Sequence, residues 1–598
     1  MAWRGYNKRV LRFVVPAVLA LAAVFPGSAQ TGFLPLKDVK PGMRGVGRTV
    51  FSGSRIEEFQ VEVLGVLENV GPKESLILAR LSGGPLEHTG VMQGMSGSPV
   101  YIDGKLVGAV AMAFPFSKDP IAGIRPIQDM VRSSGSAVAE RRSPAPAPLA
   151  GGDPIRALPK PQPLLAGDAR MIDIATPVSF GGFTRATLEA FAPRLRELGL
   201  EPRQGISAGA KIEPGMGNPA DLKPGSMISV QLMAGDLSVG ADGTVTYIDG
   251  SRVYAFGHRF LAVGSTALPF ARSDVVTLLP NFNTSFKLST AREWMGTINQ
   301  DRDAAIAGEL GKRAPMVPVS VDLKRNEHAV DSYHMQMVND PLLSPLLVQM
   351  AVYSAIDSTE RTVGAATVSV TGEIDFQNAA TPVRLDNVFA ADNGAAALAS
   401  LNTAIPVAYV MQSAFDSLRL KSVSLHIEAS DQKKQLTIDG ISLSRREVRP
   451  GEKVQLKIAL AGENGAEVNR VVDYEVPPGA LPGMLYFTVA DANTTNLTNF
   501  RQIIGTSPHS AAQVITTVNS LHPNTRAYVR VWRTDPAYQL EGSDLPDPPP
   551  SVSLILSSSQ STLAGITQSR NSKLAEIEVD AGDMVITGAK TVQVEIKE

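Results

Sequence analysis

Apolar and polar residues alternate over many short stretches of the chain. F-Q-V-E-V-L-G-V-L, which starts at Phe59, and T-V-T-Y-I, which starts at Thr244, repeat with a period of two, as β-strands with one buried face do. Two D-G pairs, at 103–104 and 249–250, lie between such strands and predict tight hairpin turns. The pattern predicts a mainly β protein built from short antiparallel strands.

A helical period appears in two segments of the middle region. T-R-A-T-L-E-A-F-A-P-R-L-R-E-L-G starts at Thr184 and ends on Gly199, with apolar residues at helical spacing. D-P-L-L-S-P-L-L-V-Q-M-A-V-Y-S-A-I-D covers 340–357. We expect a helix in each segment, added to the β structure around it.

Shifts in composition divide the chain, whose 598 residues exceed what one hydrophobic core organises. We expect the following parts: a signal peptide (1–30), a first β-barrel unit (31–133), a linker rich in Pro, Ala and Gly (134–175), a second β-barrel unit with added helices (176–380), a connecting region (381–430), an immunoglobulin-like antiparallel β-sandwich (431–545) and a C-terminal extension (546–598). The expected fold class is mainly β.

The first thirty residues have the pattern of a secretory signal peptide. M-A-W-R-G-Y-N-K-R-V-L-R carries the positive charges, F-V-V-P-A-V-L-A-L-A-A-V-F is apolar, and small residues follow near Ala29. The alternative is an uncleaved anchor, but the apolar run is shorter than the ~20 residues that span a bilayer. We expect a periplasmic or extracellular protein with no stable membrane insertion after removal of the signal.

Composition excludes several kinds of chemistry. The 56 basic and 58 acidic residues nearly cancel, so no overall field attracts nucleic acid or an anionic membrane. The chain has no cysteine, which excludes disulfides, thiolate metal sites and a cysteine nucleophile. Its seven histidines are scattered, without the spacing of a zinc site. We expect neither a metal nor another cofactor.

The loop G-M-S-G-S-P, at 94–99, has the residues of a nucleophile site. Glycines permit unusual backbone angles around Ser96, and the amides of Gly94 and Ser96 are candidates for an oxyanion hole. A serine nucleophile needs a base, and His258, which ends the strand V-Y-A-F-G-H, is better placed than His88 in its polar turn. The alternatives are an ordinary Gly-rich turn and a structural histidine.

These segments resemble a known family. From R-G-V-G-R-T-V-F at Arg44 to K-D-P-I-A-G-I at Ile124, the first unit resembles the nucleophile half of SpoIVB-type serine peptidases, of the trypsin-like clan. G-T-V-T-Y-I-D-G-S-R-V-Y-A-F-G-H and G-T-I-N-Q-D-R-D-A-A-I-A-G resemble the half with the catalytic histidine. The resemblance implies two trypsin-like β-barrels in permuted order, serine half first, with Ser96 as nucleophile and His258 as general base.

The chain departs from the family pattern at the acidic member of the triad. The family has an acid ahead of the serine, where this sequence reads A-R-L-S-G-G-P-L-E-H-T-G, with Ser82 near the expected place. Other acids that can orient His258 are Glu87, Asp103, Asp119, Asp301 and Asp303. We assign no acid, and a Ser-His pair remains the predicted catalytic unit.

Two functions follow from these observations. The first is a secreted or periplasmic serine endopeptidase that makes limited cleavages in protein substrates, with the exposed linker as a candidate site of self-cleavage. The second is a catalytically inactive peptidase-like scaffold that binds envelope proteins or glycans. The missing acid favours the scaffold, whereas the presence of both Ser96 and His258 favours the enzyme.

Overall fold

The structure is a computed structural model. It describes residues 32–71, 74–135, 160, 164–166, 169–205, 212–325, 330–358, 364–463, 465–503, 508, 510–535, 537–540, 543–545, 548–559, 566–569 and 571–598. The predicted signal peptide and most of the predicted linker lie outside these residues.

The first unit is a closed barrel of six strands. The strands are β1 (Arg44–Ser52), β2 (Arg55–Gly71), β3 (Glu74–Ser82), β4 (Pro99–Ile102), β5 (Lys105–Ala113) and β6 (Ile121–Pro126). They follow one another in the order β1-β2-β3-β6-β5-β4, all antiparallel, and β4 pairs again with β1. Alternate side chains of β2, among them Phe59, Val61 and Val63, are buried. The two-residue period therefore marks the inner face of the barrel.

Short elements surround this barrel. They are the helices α1 (Leu86–Thr89) and α2 (Ile127–Gly135) and the strands β7 (Leu164–Ala166) and β8 (Ala169–Asp173). Both strands lie within the predicted linker. β8 pairs antiparallel with β5, through Met112↔Asp173 and Ala113↔Ile172. The last residues of the predicted linker are therefore part of the folded unit, because a backbone ladder forms irrespective of a Pro/Ala-rich composition nearby.

The second unit contains another closed barrel of six antiparallel strands, in the order β12-β13-β14-β17-β16-β15. The elements up to the end of this barrel are β9 (Thr176–Gly181), α3 (Arg185–Glu197), β10 (Leu200–Gln204), β11 (Glu213–Met216), β12 (Met227–Gly235), β13 (Ser238–Asp249), β14 (Arg252–Ala255), β15 (Gly264–Leu279), β16 (Phe286–Arg302) and β17 (Ala305–Leu310). The predicted helix at Thr184 is confirmed: the Thr184 side chain accepts a hydrogen bond from the Thr187 amide and caps α3.

The same sheet continues beyond the barrel. The added elements are β18 (Val317–Arg325), β19 (Asp331–Met337), α4 (Leu343–Asp357), β20 (Ala366–Phe376), β21 (Val383–Ala391), α5 (Ala395–Met411) and β22 (Leu420–Ser430). The strand order from the barrel outward is β12-β19-β18-β22-β20-β21. The predicted helix at 340–357 is present as α4. Residues 381–430, expected to connect two units, instead supply β21, α5 and β22 to this unit.

The two D-G hairpins differ by one position. Ile102 pairs with Lys105, so Asp103 and Gly104 form the turn, both with positive φ, as a type I′ turn requires. Asp249 pairs with Arg252, so the second turn consists of residues 250–251. The expected turn at 249–250 is thus displaced by one residue, because the strand pairing extends through Asp249.

The C-terminal unit is a sandwich of two sheets with its own core, which includes Leu456, Phe487 and Val529. The elements are β23 (Gln435–Leu443), β24 (Glu447–Val448), β25 (Lys453–Gly462), β26 (Glu467–Glu475), β27 (Gly483–Ala490), α6 (Ala492–Ile503), α7 (Ala511–Asn519), β28 (Arg526–Arg533), β29 (Ala537–Leu540), β30 (Ser543–Leu545), α8 (Pro550–Ser559), β31 (Ile566–Ser569), β32 (Ser572–Asp580), β33 (Val585–Thr587) and β34 (Ala589–Ile596). The sheets are β26-β25-β23-β33 and β24-β34-β27-β28-β32.

The final strands complete both sheets of this sandwich. β33 pairs with β23, whereas β34 pairs with β27 and β24. The sandwich therefore extends past the boundary expected near 545 and includes much of the predicted C-terminal extension. The mainly β fold class, with two barrels followed by a sandwich, is confirmed. No helix among the described residues is long and apolar enough to cross a membrane.

Candidate active site

Ser96 lies in a tight loop between α1 and β4 that packs against the second barrel. Gly94 and Gly97 both have φ of +90°, which favours glycine strongly. A Cβ on Gly97 would lie 2.0 Å from the carbonyl oxygen of Thr244. Ser96 is 0% exposed, and its Oγ has no hydrogen-bond partner among the described residues. The glycines are thus required for the loop to approach the other barrel.

The backbone amides of this loop fall into two groups. Gly97 N donates to Val110 O at 2.8 Å, and Ser98 N donates to Met95 O at 2.9 Å. Within the described part of the chain, the amides of Gly94 and Ser96 donate to no acceptor. Two donors in the predicted oxyanion hole are therefore free of competing hydrogen bonds.

His258 follows β14 in a strained turn. Phe256 and Gly257 both have φ of +70°, and positive φ in a residue as bulky as Phe256 is rare outside functional or tightly constrained sites. The histidine is 2% exposed. Its Nδ1 lies 2.6 Å from the carbonyl oxygen of Arg259. Since a carbonyl only accepts, Nδ1 carries the proton in this contact, and Nε2 is the basic nitrogen.

Burial controls the protonation of this ring. It lowers the pKa of His258 below the ordinary value, while the negative charge of Asp173 acts in the opposite direction. The Nε2 atom is buried and has no hydrogen-bond partner in the described residues. At neutral pH the imidazole is therefore uncharged and able to accept a proton.

Hydrogen bonds from β13 hold the serine loop against the histidine barrel. Thr244 N donates to Ser96 O at 2.9 Å, and Thr244 Oγ1 donates to Gly94 O at 2.9 Å. Thr246 Oγ1 donates to Gly97 O at 2.7 Å. These bonds join residues about one quarter of the chain apart, and sequence inspection does not identify the two threonines in this role.

The segments next to Ser96 and His258 are in direct contact. A Cβ placed on Gly97 would lie 2.5 Å from the amide nitrogen of Phe256, and a Cβ placed on Gly257 would lie 3.1 Å from the carbonyl oxygen of Val110. Each of these glycines immediately adjoins one of the two predicted catalytic residues. The structure thus brings the Ser96 and His258 loops together at the junction of the two barrels.

The five acids that the sequence offers as partners of His258 lie in different places in the structure. Glu87 is exposed on α1 and Asp103 forms the hairpin turn, whereas Asp119 and Asp303 lie near Arg80 and Arg259, at 3.7 and 3.9 Å. Asp301 is buried in β16. In the described residues, none of these five acids makes a hydrogen bond to the His258 ring.

Asp301 stabilises the backbone that follows His258. Its carboxylate accepts hydrogen bonds from the amides of Phe260 at 2.8 Å, Leu261 at 2.7 Å and Val263 at 3.2 Å. Burial raises the pKa of Asp301 to about 6, against the lowering effect of these bonds. This acid orients the histidine loop and not the imidazole itself.

Asp173, which sequence inspection misses, is the acid whose charge acts on His258. It belongs to β8 and lines, together with His258, Arg259 and residues 196–201, a cavity of about 390 Å³. Asp173 lies at the edge of the predicted linker, where nothing in the residue pattern distinguishes it. Its position depends on the pairing of β8 with β5.

A buried lysine also supports the serine loop. Lys287, on β16, lies under Gly94, whose Cβ position is 3.2 Å from the lysine Cδ. Its Nζ donates to Thr49 Oγ1 at 2.6 Å, and Ser98 Oγ donates to the same oxygen at 3.0 Å. Burial lowers the pKa of Lys287 to about 7. The sequence around Lys287 does not indicate that it supports the serine loop, because its contacts with Thr49 and Gly94 join distant parts of the chain.

Comparison with known proteins finds a family match that covers the first barrel. Residues 34–130 match the family described as SpoIVB peptidase S55. This segment contains Ser96 and the six strands of the first barrel, so the match supports the class of serine peptidases for this barrel. The SpoIVB-type assignment implied by the resemblance is confirmed over this segment. No curated protein and no solved structure matches the chain.

Proposed function

We propose that the protein is a secreted or periplasmic serine endopeptidase that makes limited cleavages through Ser96 and His258. The observation that carries this proposal is the contact between the serine loop and the turn that precedes His258, through Gly97 and Phe256. The signal-like pattern of residues 1–30 supports export. The family match over 34–130 supports the peptidase class.

The residues have separate roles in the proposed reaction. Ser96 Oγ attacks the substrate carbonyl, and His258 Nε2 accepts the hydroxyl proton and returns it to the leaving amine. The amides of Gly94 and Ser96 stabilise the oxyanion. The hydrogen bond from His258 Nδ1 to Arg259 O sets the tautomer that this role requires, a task that a carboxylate performs in a Ser-His-Asp triad.

A fluorophosphonate probe tests the proposal, since it labels activated serines. We expect labelling of the full chain that is lost in Ser96→Ala and in His258→Gln. Ser98→Ala is the matched control, because Ser98 lies in the same loop and is also buried but bonds to Thr49. Labelling that persists in Ser96→Ala, or that disappears equally in Ser98→Ala, would contradict the assignment.

The burial of Ser96 favours a second candidate function. A side chain that is 0% exposed is closed to a substrate in this conformation, and no described acid bonds to the His258 ring. The alternative is an inactive peptidase-like scaffold that binds envelope proteins or glycans. A folded protein that the probe never labels, with or without opening of the site, would support this alternative.

A further inference from the structure

The outer edge of β5 is shared by two different segments. Along this edge β4 pairs with β5 up to Ala109, and Ser98 and Gly97 then bond to Val110, through Val110 N→Ser98 O at 3.0 Å and Gly97 N→Val110 O at 2.8 Å. The other edge of β5 is paired with β6. The serine loop therefore leaves the edge of β5 at Val110.

Residues 172–174 take the same edge at the next position. Ile174 N donates to Ala111 O at 2.9 Å, Asp173 lies opposite Met112, and Ile172 lies opposite Ala113. Gly97 bonds to Val110 and Ile174 bonds to the next residue of β5, Ala111. Because neighbouring residues of a strand are about 3.3 Å apart, Ile174 is the next residue after Gly97 along this edge. The segment and the serine loop form one interrupted line along β5.

The chain direction orients this segment towards Ser96. Residues 172–174 are antiparallel to β5, so Ile174, at the C-terminal end, is the residue next to the serine loop. The bond from Ile174 to Ala175 thus follows on the side of Gly97 and Ser96. Ala111 also lies against Gly257, the residue before His258: a Cβ placed on Gly257 would lie 3.3 Å from the Ala111 Cβ. An extended peptide on this edge is therefore directed into the junction that holds both Ser96 and His258.

We propose that residues 172–174 hold the candidate active site in a closed state, because they occupy, as an added strand, the β5 edge from Ala111 to Ala113 on which an extended substrate peptide would otherwise dock. This inference rests on the proposed peptidase function. Main-chain hydrogen bonds provide affinity in such strand addition without demanding a particular sequence. The same segment lines the cavity around His258, and both Ser96 and His258 are buried in this conformation.

Two variants of the full chain test this proposal: one locks residues 172–174 on the β5 edge, and the other weakens their pairing with it. Because the chain has no cysteine, Ala113→Cys with Ile172→Cys introduces a single possible disulfide, between residues that face each other in the ladder at a separation a disulfide spans. Ile174→Pro removes the amide that donates to Ala111 O. Ile172→Ala is the control, since it shortens an exposed side chain and keeps its backbone amide.

Binding is measured without catalysis, in a Ser96→Ala background. The probe is a fluorescein-labelled peptide with the sequence A-R-M-I-D-I-A-T, residues 169–176, followed by anisotropy. We expect Ile174→Pro to bind it at least about tenfold more tightly than the oxidised disulfide form, with Ile172→Ala unchanged from the parent. Equal binding to the open and locked forms, or no binding to either, would overturn the docking surface.

Labelling by fluorophosphonate, in the Ser96 background, separates this inference from the proposed function. We expect slow labelling of the oxidised form and faster labelling after reduction of the same protein, so the comparison survives if Ile174→Pro fails to fold. Peptide binding that follows the lock, without labelling in any form, would refute the peptidase and keep the docking surface. Labelling that ignores the lock would refute the docking surface and keep the peptidase.

Discussion

The two loops that meet at the candidate site are stabilised in different ways. The histidine loop is held within its own barrel, because Asp301 on β16 accepts three hydrogen bonds from the residues after His258. The serine loop also depends on the other barrel, since Thr244 and Thr246 of β13 bond to its carbonyl groups. The histidine loop is thus positioned by a buried carboxylate of its own barrel, and the serine loop by packing of the first barrel against the second.

This difference shows where the geometry of the site originates. The serine barrel contains the residues that match the peptidase family, yet part of its loop geometry comes from a barrel more than a hundred residues further along the chain. Separation of the barrels would therefore affect the Ser96 loop more than the His258 loop. Substitutions that act on one type of support leave the other in place, and the following predictions use this property.

The largest effect is expected from Gly97→Ala. The new Cβ would lie 2.0 Å from Thr244 O, on a backbone with φ of +90°, so overpacking and strain combine to cost about 4 kcal/mol of unfolding free energy. Gly104→Ala is the control, because its φ is +73° but no atom lies within 4 Å, and we expect about 1 kcal/mol. Urea denaturation measures both, and equal losses would contradict docking through Gly97.

Asp301→Ala should have the next largest effect, through the histidine loop alone. It leaves the amides of Phe260, Leu261 and Val263 without their acceptor, at a cost of about 3 kcal/mol. Asp303→Ala is the matched control: this exposed acid lies 3.9 Å from Arg259, and its loss should cost about 0.5 kcal/mol or less. Thermal unfolding of the two variants would exclude the supporting role if they behaved alike.

Thr244→Val should weaken the serine loop by a smaller amount. It removes the hydroxyl that donates to Gly94 O and keeps the side-chain shape, so we expect a loss of about 1 kcal/mol together with slower fluorophosphonate labelling. Thr297→Val removes the same type of bond, to Lys312 O, away from the loop. It should cost similar stability with no change in labelling rate, and slower labelling in this control would remove the distinction.

The smallest effect concerns the pH dependence of labelling. Burial lowers the pKa of His258, so the neutral base persists below pH ~6.5, the ordinary value for histidine, and labelling should decline only at lower pH. Because the charge of Asp173 opposes this shift, Asp173→Asn should move the decline further down, by less than about one pH unit. A decline that moves upward in Asp173→Asn would show that this acid does not act on the ring.

The sign of the stability change follows from the same shift. With its folded pKa below the unfolded value, His258 binds less proton in the folded chain, so its neutral burial favours folding above pH ~6.5 and opposes folding as the pH falls below it. The buried Asp301 acts in the opposite sense, because its pKa is raised to about 6. Its contribution to stability is present below pH ~4 and is lost as the pH rises through about 6.

Local features of the structure were accessible from the residue pattern. The alternation around Phe59 and Thr244, the cap at Thr184 and the turn at Asp103 each depend on neighbours within a few residues. The supporting residues at the site were not accessible. Asp173, Asp301 and Lys287 have no local signature, because their significance arises from contacts with segments far away in the chain.

The sequence by itself determined the mainly β architecture and the glycine-flanked Ser96 loop, since strand period and turn chemistry are short-range properties. Only the tertiary structure decided which threonines, acids and lysine surround that loop and which segment covers it. The physical reason is that β-barrels are closed by pairings between distant strands. The rung that places Ile174 after Gly97 exists only once those strands have come together.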